Sequence, residues 1–385
     1  KILADLGADV IKIEPPGGSP SRRIGPFYKD IPHPEKSLFW FAYNVNKRSI
    51  TLDIETADGR SIFLSLVEEA DVVLESFPPG YADLSALKPD VILTSITPVG
   101  QTGPYAHYES SDLTAWASGG MMYISGDPDR APVALSVPQA ALHGGAEGAA
   151  ASMMALWHRN ATGKGHHVDV SVQQCVIWTT MNTTGMWDLN RFDFKRCSGA
   201  FANPNGRQRT VFACKDGYIT VYVMGGGNPL AVEHMKALVG WMDEEGMAPA
   251  WLKTFDWVND YDMSSARQEV IDEVEAPFTR FFLTKTKAEL YEGALTRRLL
   301  LAPVYDAKDT SENPQLRARE YWVEVAHPEL DDRLAYCGAF IKLSETPWRI
   351  RRRPPLIGEH NDEVYCGELG LSKARLALLK QARVI

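Results

Sequence analysis

Gly163-Lys-Gly-His-His-Val-Asp-Val-Ser-Val-Gln-Gln-Cys175 reads as a tight glycine turn, a short β-branched run and the opening of a helix. Two glycines around one lysine predict a turn. Lys164 is not a Walker lysine, because no Ser or Thr follows it and the upstream glycine spacing is wrong. The run Val168-Asp-Val-Ser171 predicts a strand, since β-branched side chains suit a pleated surface. A turn, a strand and then a helix are the punctuation of a parallel α/β sheet. Gln174 stands where such scaffolds place a working side chain.

Upstream the same alternation repeats. Ala8 to Glu14 predicts a strand closed by Pro15-Pro16-Gly17-Gly18, Ser49 to Ile54 a second strand, and Ala57 to Ala70 an amphipathic helix. Asp71 to Glu75 predicts a buried strand before the turn Ser76-Phe-Pro-Pro-Gly80, and Leu84 to Leu87 a short helix before the strand Val91 to Ile96. Strands alternating with helices predict right-handed βαβ units in a doubly wound parallel sheet, an α/β Rossmann-like fold. Ligands in such sheets lie beyond the carboxyl ends of the strands, so the loops after Glu14, Glu75 and Ile96 matter most. Lys1 to Gly7 reads as the last turns of a helix ended by a C-cap glycine, which predicts that a strand and most of a helix come before Lys1.

A length of 385 residues favours two domains over one. The net charge of -9 argues against nucleic acid or an anionic membrane as partner, because a polyanion gains nothing from an acidic surface. Five scattered cysteines without a C-x-x-C pair fit a reducing, cytoplasmic compartment with no structural zinc. No apolar run approaches the ~20 residues that cross a bilayer.

Asp112 to Arg159 reads as helical and rich in small residues, which predicts close helix packing. Composition changes near Cys197 to Asn205, giving the boundaries 1–196 for a large domain, 197–325 for a small α+β central domain and 326–385 for a segment returning to the large one. Within the central domain, Val211 to Val223 predicts two strands joined by an Asp-Gly hairpin turn. Gly225-Gly-Gly-Asn-Pro229 opens a helix over Leu230 to Val239. A phosphate cradle and a plain strand-to-helix turn both fit it, and the turn needs no ligand. Helices over Ala266 to Leu283 and Thr286 to Leu295, and a last one over Lys373 to Gln381, complete the pattern. Arg349-Ile-Arg-Arg-Arg353 is the most basic stretch, read as a solvated face with phosphate binding as the alternative.

Five pieces of this sequence resemble the family III CoA-transferases, the CaiB/BaiF family. They are Leu3-Ala-Asp-Leu-Gly-Ala-Asp-Val-Ile-Lys-Ile-Glu-Pro-Pro16, Asn44-Val-Asn-Lys-Arg-Ser49, Gly100-Gln-Thr-Gly-Pro104, Thr162-Gly-Lys-Gly-His-His-Val-Asp-Val-Ser171 and Pro355-Leu-Ile-Gly-Glu-His-Asn-Asp-Glu-Val364. The resemblance implies a large Rossmann-like domain built from both chain ends, a small central domain and two interlocked subunits. It implies acyl-CoA and a carboxylic acid as substrates and no metal. Coenzyme A is then held along Asn46, Lys47 and Arg48 and along Ser76, Phe77 and Gly80. In the family an aspartate attacks the donor thioester to give a mixed anhydride, which demands an ionised carboxylate that is also a tolerable leaving group.

That aspartate aligns with Gln174. An amide has no negative charge and does not form the anhydride, although it donates and accepts hydrogen bonds and can orient a thioester carbonyl. Asp169 is retained, and a structural part at the strand's end is the plain reading for it. The family's Glu-Asn-Phe-x-Pro-Gly turn here carries Ser76 in place of asparagine, and its following basic residue aligns with Leu84. Lys47 and Arg48 are the substitutes for phosphate contact, with a solvated loop as the alternative. Related racemases use a histidine and an aspartate. Those positions fall near Ser110 or Ser111 and near Pro138 or Gln139, leaving His143 and Glu147, one helical turn apart, as the other acid/base candidates. Three functions follow in order: a CoA-transferase, a non-catalytic CoA-binding subunit paired with an aspartate-bearing paralogue, and an acyl-CoA racemase. The assembly is accordingly a homodimer or a heterodimer.

Overall fold

The computed structural model describes residues 1–76 and 81–385. The expected roles of Phe77 and Gly80 lie outside the described residues. The chain forms two compact units. One comprises Lys1–Gly119, Ser136–Thr179 and Ser311–Ile385, and the other Gly120–Leu135 and Thr180–Thr310.

The first unit opens with β1 (Val10–Glu14), β2 (Lys47–Thr51), α1 (Ala57–Glu69), β3 (Val72–Glu75), α2 (Tyr81–Leu87) and β4 (Ile92–Thr97). It continues with α3 (Asp112–Ser118), α4 (Ala140–Thr162), β5 (His166–Ser171) and α5 (Val172–Trp178). All these strands pair in parallel, as the βα alternation requires. They pair as two sheets, β1 with β2 and β3-β4-β5 in that order, rather than as one continuous sheet. Helix α1 serves both: Phe63 packs against the cluster of Ile50, Leu52 and Ile62 and also against Val67, Leu84, Val91 and Leu93. The chain's end closes the first cluster, with Val364, Tyr365, Leu376 and Val384 packed on β2.

The stretch from Asp112 to Arg159 is not one helical region. Helix α3 stops at Ser118, and α4 begins only at Ala140. Gly119, Gly120, Pro128, Pro132 and Pro138 interrupt it, and residues 120–135 belong to the second unit.

The second unit carries α6 (Met181–Asn190), β6 (Ala200–Asn203), β7 (Gly206–Arg209), β8 (Val211–Cys214), β9 (Gly217–Val221), α7 (Pro229–Glu244), α8 (Gln268–Phe282), α9 (Lys287–Arg297) and β10 (Leu301–Val304). The Asp-Gly hairpin is present: β8 and β9 are antiparallel, with Cys214 opposite Gly217, and β10 joins the other edge of β9. The loop-like composition near Cys197 to Asn205 hides a further hairpin, β6–β7, over residues 200–209. The core of this unit is rich in aromatic residues, with Phe212, Trp241, Trp257, Phe278, Phe281 and Phe282 buried together with Ile219 and Met235. Trp241 and Trp257 are therefore core, whereas Tyr218, Tyr222 and Trp251 are exposed. The chain then returns to the first unit with the hairpin β11 (Trp322–His327) and β12 (Asp332–Cys337) and ends in α10 (Lys373–Gln381).

Candidate functional site

The glycine turn that opens β5 has a mechanical explanation. Gly163 ends α4 in the left-handed conformation at φ 71°, which glycine adopts without strain. A Cβ at Gly165 would lie 2.3 Å from the Val91 carbonyl oxygen, so only glycine lets the chain come this close to β4. Small residues on α4 act similarly. A Cβ at Gly144 or Gly148 would press on Val172 or Ile96, and Ser152 Oγ lies 2.8 Å from Thr94 Oγ1. The small-residue run is therefore helix packing, and it fixes where β5 ends and α5 begins.

At that junction Ser171 caps α5, its Oγ accepting the Gln174 backbone N–H at 3.3 Å. Gln174 occupies the first turn of α5 and is exposed. The loop after β4 is tied to this turn, because Gln173 N–H donates to the Pro98 carbonyl at 2.9 Å.

Polar side chains near the carboxyl ends of the same strands form a row. Glu75 pairs with Ser95 across β3 and β4, and Ser95 with Asp169 across β4 and β5. Directly paired residues of a parallel sheet share a face, so all three lie on one face near the strands' carboxyl ends. Asp169 accepts the Gln101 backbone N–H with both oxygens, at 3.2 and 3.0 Å, and Gln101 Nε2 donates to Glu75 Oε1 at 3.2 Å. Two residues earlier on β5, His167 Nε2 lies 3.0 Å from Ser95 Oγ, and the His167 ring stacks on Tyr81 at 5.2 Å. Thr97 Oγ1, on the same face of β4, is buried and finds no hydrogen-bond partner among the described residues. The constellation of Glu75, Gln101 and Asp169 was not read from the sequence. Its signal lay in Gly100-Gln-Thr-Gly-Pro104, noted only for its resemblance.

The other candidate residues lie elsewhere. Asn46 is buried at φ 64°; its amide donates to Asp5 Oδ1 and the Arg349 carbonyl, both at 2.9 Å, and accepts the Arg351 N–H at 2.6 Å. Arg48 is buried, with its guanidinium shared among Asp9, Glu363 and Glu368. Lys47 donates to Asn44 at 2.8 Å, and burial together with the Lys12 ammonium pushes it down to about 8. A phosphate at these residues competes with partners already in place. Ser76 is exposed at the end of β3, and Leu84 belongs to the core.

No hydrogen bond joins His143 to Glu147. The His143 ring stacks on Trp116 at 6.3 Å, while Glu147 faces Cys175, whose thiol is pushed up by burial and by that carboxylate. Ser111 caps α3, and the Gln139 N–H donates to Asp112 at 3.0 Å. Among the described residues no group of three or more His, Cys, Asp or Glu is placed to hold a metal ion, and no helix is long and apolar enough to cross a membrane.

Comparison with known proteins gives a consistent result. The family model described as CoA-transferase family III matches residues 1–361. The chain is 34% identical to the succinyl-CoA:(R)-benzylsuccinate CoA-transferase subunit BbsE of Thauera aromatica, over 95% of this chain and 90% of that protein. It is 29% identical to the formyl-CoA:oxalate CoA-transferase of Streptomyces avermitilis, over 100% of this chain and 94% of the relative. Among solved structures, a CaiB/BaiF family protein from Brucella suis superposes with a TM-score of 0.75 at 26% identity, covering 95% of this chain and 93% of that one. The mixed α/β fold is that of these proteins, and the chain belongs to CoA-transferase family III.

Proposed function

We propose that this protein serves the transfer of CoA between an acyl-CoA thioester and a carboxylic acid. The observation that carries this reading is the place of Gln174: exposed, in the first turn of α5, beside the row of Glu75, Gln101 and Asp169 at the carboxyl ends of three parallel strands. Open parallel sheets bind ligands there. CoA enters as part of the substrate, and Ser76, exposed at the end of β3, is the candidate among the described residues to receive it. The relatives named above are CoA-transferases, and the family model supports the same class.

A second reading is favoured by the residue itself. A nucleophile at this position must attack the thioester carbonyl, release the CoA thiolate and later leave from the anhydride, all of which an ionised carboxylate does and an amide does not. The chain is then the CoA-binding, non-catalytic subunit of a heteromer, its partner a paralogue with aspartate at the matching position. The Thauera aromatica relative is itself named as a subunit. Met154, Trp157 and Trp178 are 67%, 79% and 63% exposed, apolar surface of the kind that assembly covers. We read that assembly as interlocked, with a Rossmann-like large domain, and place it in the cytoplasm, where its five free cysteines stay reduced.

The test is to incubate the pure chain with a panel of acyl-CoA thioesters and isotopically labelled acids, with and without Gln174→Asp. Label in the thioester pool is expected from the variant. Its absence from wild type, variant and the complex with the paralogue removes the transferase reading. Native mass spectrometry that finds only active homodimers removes the heteromer.

A further inference from the structure

Gln101 is bound to both walls of the candidate site. Its backbone N–H lies against the carboxylate of Asp169 on β5, and its side-chain amide donates to Glu75 at the end of β3. The two carboxylates sit two strands apart, about 10 Å by ordinary strand spacing, with Ser95 between them. Gln101 crosses that gap. The loop it belongs to is fixed a second time where the Gln173 N–H meets the Pro98 carbonyl, and Gly100 lies over Ser171, with its Cβ position 3.6 Å from the Ser171 Cβ. Gly100 and Gly103 both have positive φ, so the loop turns sharply on either side of Gln101.

Glu75 is buried and immediately precedes Ser76, the exposed residue proposed to meet CoA. Asp169 immediately precedes the junction that leads to Gln174. We infer that Gln101 is a positioning residue, a crossbar that holds the carboxyl end of β3 and the β5–α5 junction at a fixed separation so that a CoA thioester meets a preformed site. The inference rests on the CoA reading above and adds to it the residue that sets the geometry. Gln101 acts through Glu75 and Asp169 rather than by touching the reacting atoms. A glutamine suits the place: its Nε2 is a donor that a carboxylate accepts, whereas a glutamate there sets a second carboxylate against Glu75.

The test uses the 385-residue chain with CoA as the titrated probe. Gln101→Ala is expected to weaken CoA binding by about 10-fold and to speed backbone hydrogen exchange in residues 98–103, with exchange in the aromatic core of the second unit unchanged. Relative to wild type measured at the same pH, Gln101→Glu is expected to bind weakly at about pH 8 and to recover most of its affinity at about pH 5.5, because protonation relieves the repulsion between the introduced carboxylate and the one it faces. That profile is one a merely structural loop residue does not give. Wild-type exchange rates over 98–103 in Gln101→Ala, or a ratio of Gln101→Glu to wild-type affinity that does not change with pH, overturn the inference. If the wild type itself binds no CoA, the CoA reading falls, and the exchange of residues 98–103 still decides whether Gln101 holds the loop.

Discussion

The β1–β2 pair and the β3–β4–β5 sheet both end in carboxylates, and they treat them in opposite ways. At the end of β1, Glu14 is fully buried, yet every lone pair has a partner: Arg22 through two nitrogens at 2.7 Å, the Ser19 N–H at 2.8 Å and Ser49 Oγ at 2.6 Å. Arg22 is itself buried, stacked over Trp40 at 3.7 Å and bound also to Glu35 and the Pro355 carbonyl. At the end of the other sheet, Asp169 is exposed and accepts one backbone N–H, from Gln101, whose side chain reaches Glu75. The first end is closed by its own hydrogen bonds. The second leaves polar capacity facing outward, as a site must.

The largest test of that contrast is Arg22→Ala. Removing one partner of a buried pair leaves an uncompensated charge, so a loss of about 3 to 5 kcal/mol is expected in urea unfolding. Burial pushes the Glu14 carboxyl up, but Arg22, Ser49 and Ser19 together outweigh it and hold it below the ordinary value. A depressed carboxyl gives stability that is present above its unfolded value and lost as pH falls through its folded one. In Arg22→Ala burial is left far less opposed, so this contribution reverses and the variant weakens as pH rises. A variant that loses less than about 1 kcal/mol breaks the picture of a closed end.

Glu275 in the second unit supplies the intermediate case. It is nearly as buried as Glu14, but its partners are the Arg209 N–H at 2.7 Å and a guanidinium at 3.6 Å that is mostly exposed. Burial wins, and its carboxyl is pushed up to about 7. The sign is therefore the opposite of Glu14: stability from this group is present below its ordinary value and lost as pH rises through about 7. Gln at this position still accepts the Arg209 N–H. Between about pH 5 and pH 8, Glu275→Gln is expected to gain on wild type by on the order of 2 kcal/mol. Parallel stability curves for the two proteins break this expectation.

At the open end the same kind of change is cheap. Asp169→Asn keeps an oxygen for the Gln101 N–H and removes a charge that faces water, so a cost below about 1 kcal/mol is expected in the same unfolding measurement. A loss comparable to that of Arg22→Ala places Asp169 in a second closed network.

How much of this was legible in the sequence follows the range of the interactions involved. Short β-branched runs bounded by Gly and Pro marked β1, β3, β4 and β5 to within a residue or two, because that signal is local. Helix α6 was missed, since Met181 to Asn190 has no amphipathic period and carries Gly185 in its interior. The β6–β7 hairpin was missed because Asn203-Pro-Asn-Gly206 reads as loop, although its turn is built by Asn203 Oδ1 accepting the N–H groups of Asn205 and Gly206. The row of Glu75, Ser95 and Asp169 exists only once three strands pair in one register, which no local pattern encodes. Arg48, exposed in expectation, is buried because three carboxylates from distant segments converge on it.

The smallest expected effect bears most on function. Gln174→Asp places a carboxylate in the first turn of α5, at the positive end of a helix that Ser171 already caps. A negative charge there is favoured by about 0.3 to 1 kcal/mol through the helix dipole. Gln174 is exposed, so the change carries no burial cost. The variant is therefore expected to unfold within a few tenths of a kcal/mol of wild type, or slightly later. That result means the scaffold tolerates an aspartate at this position and that its loss reflects a change of chemical duty rather than a demand of folding. Destabilisation by more than about 1 kcal/mol means instead that Asp169 and Glu75 already fill the site with negative charge, and that the open end has been rebuilt around an uncharged residue.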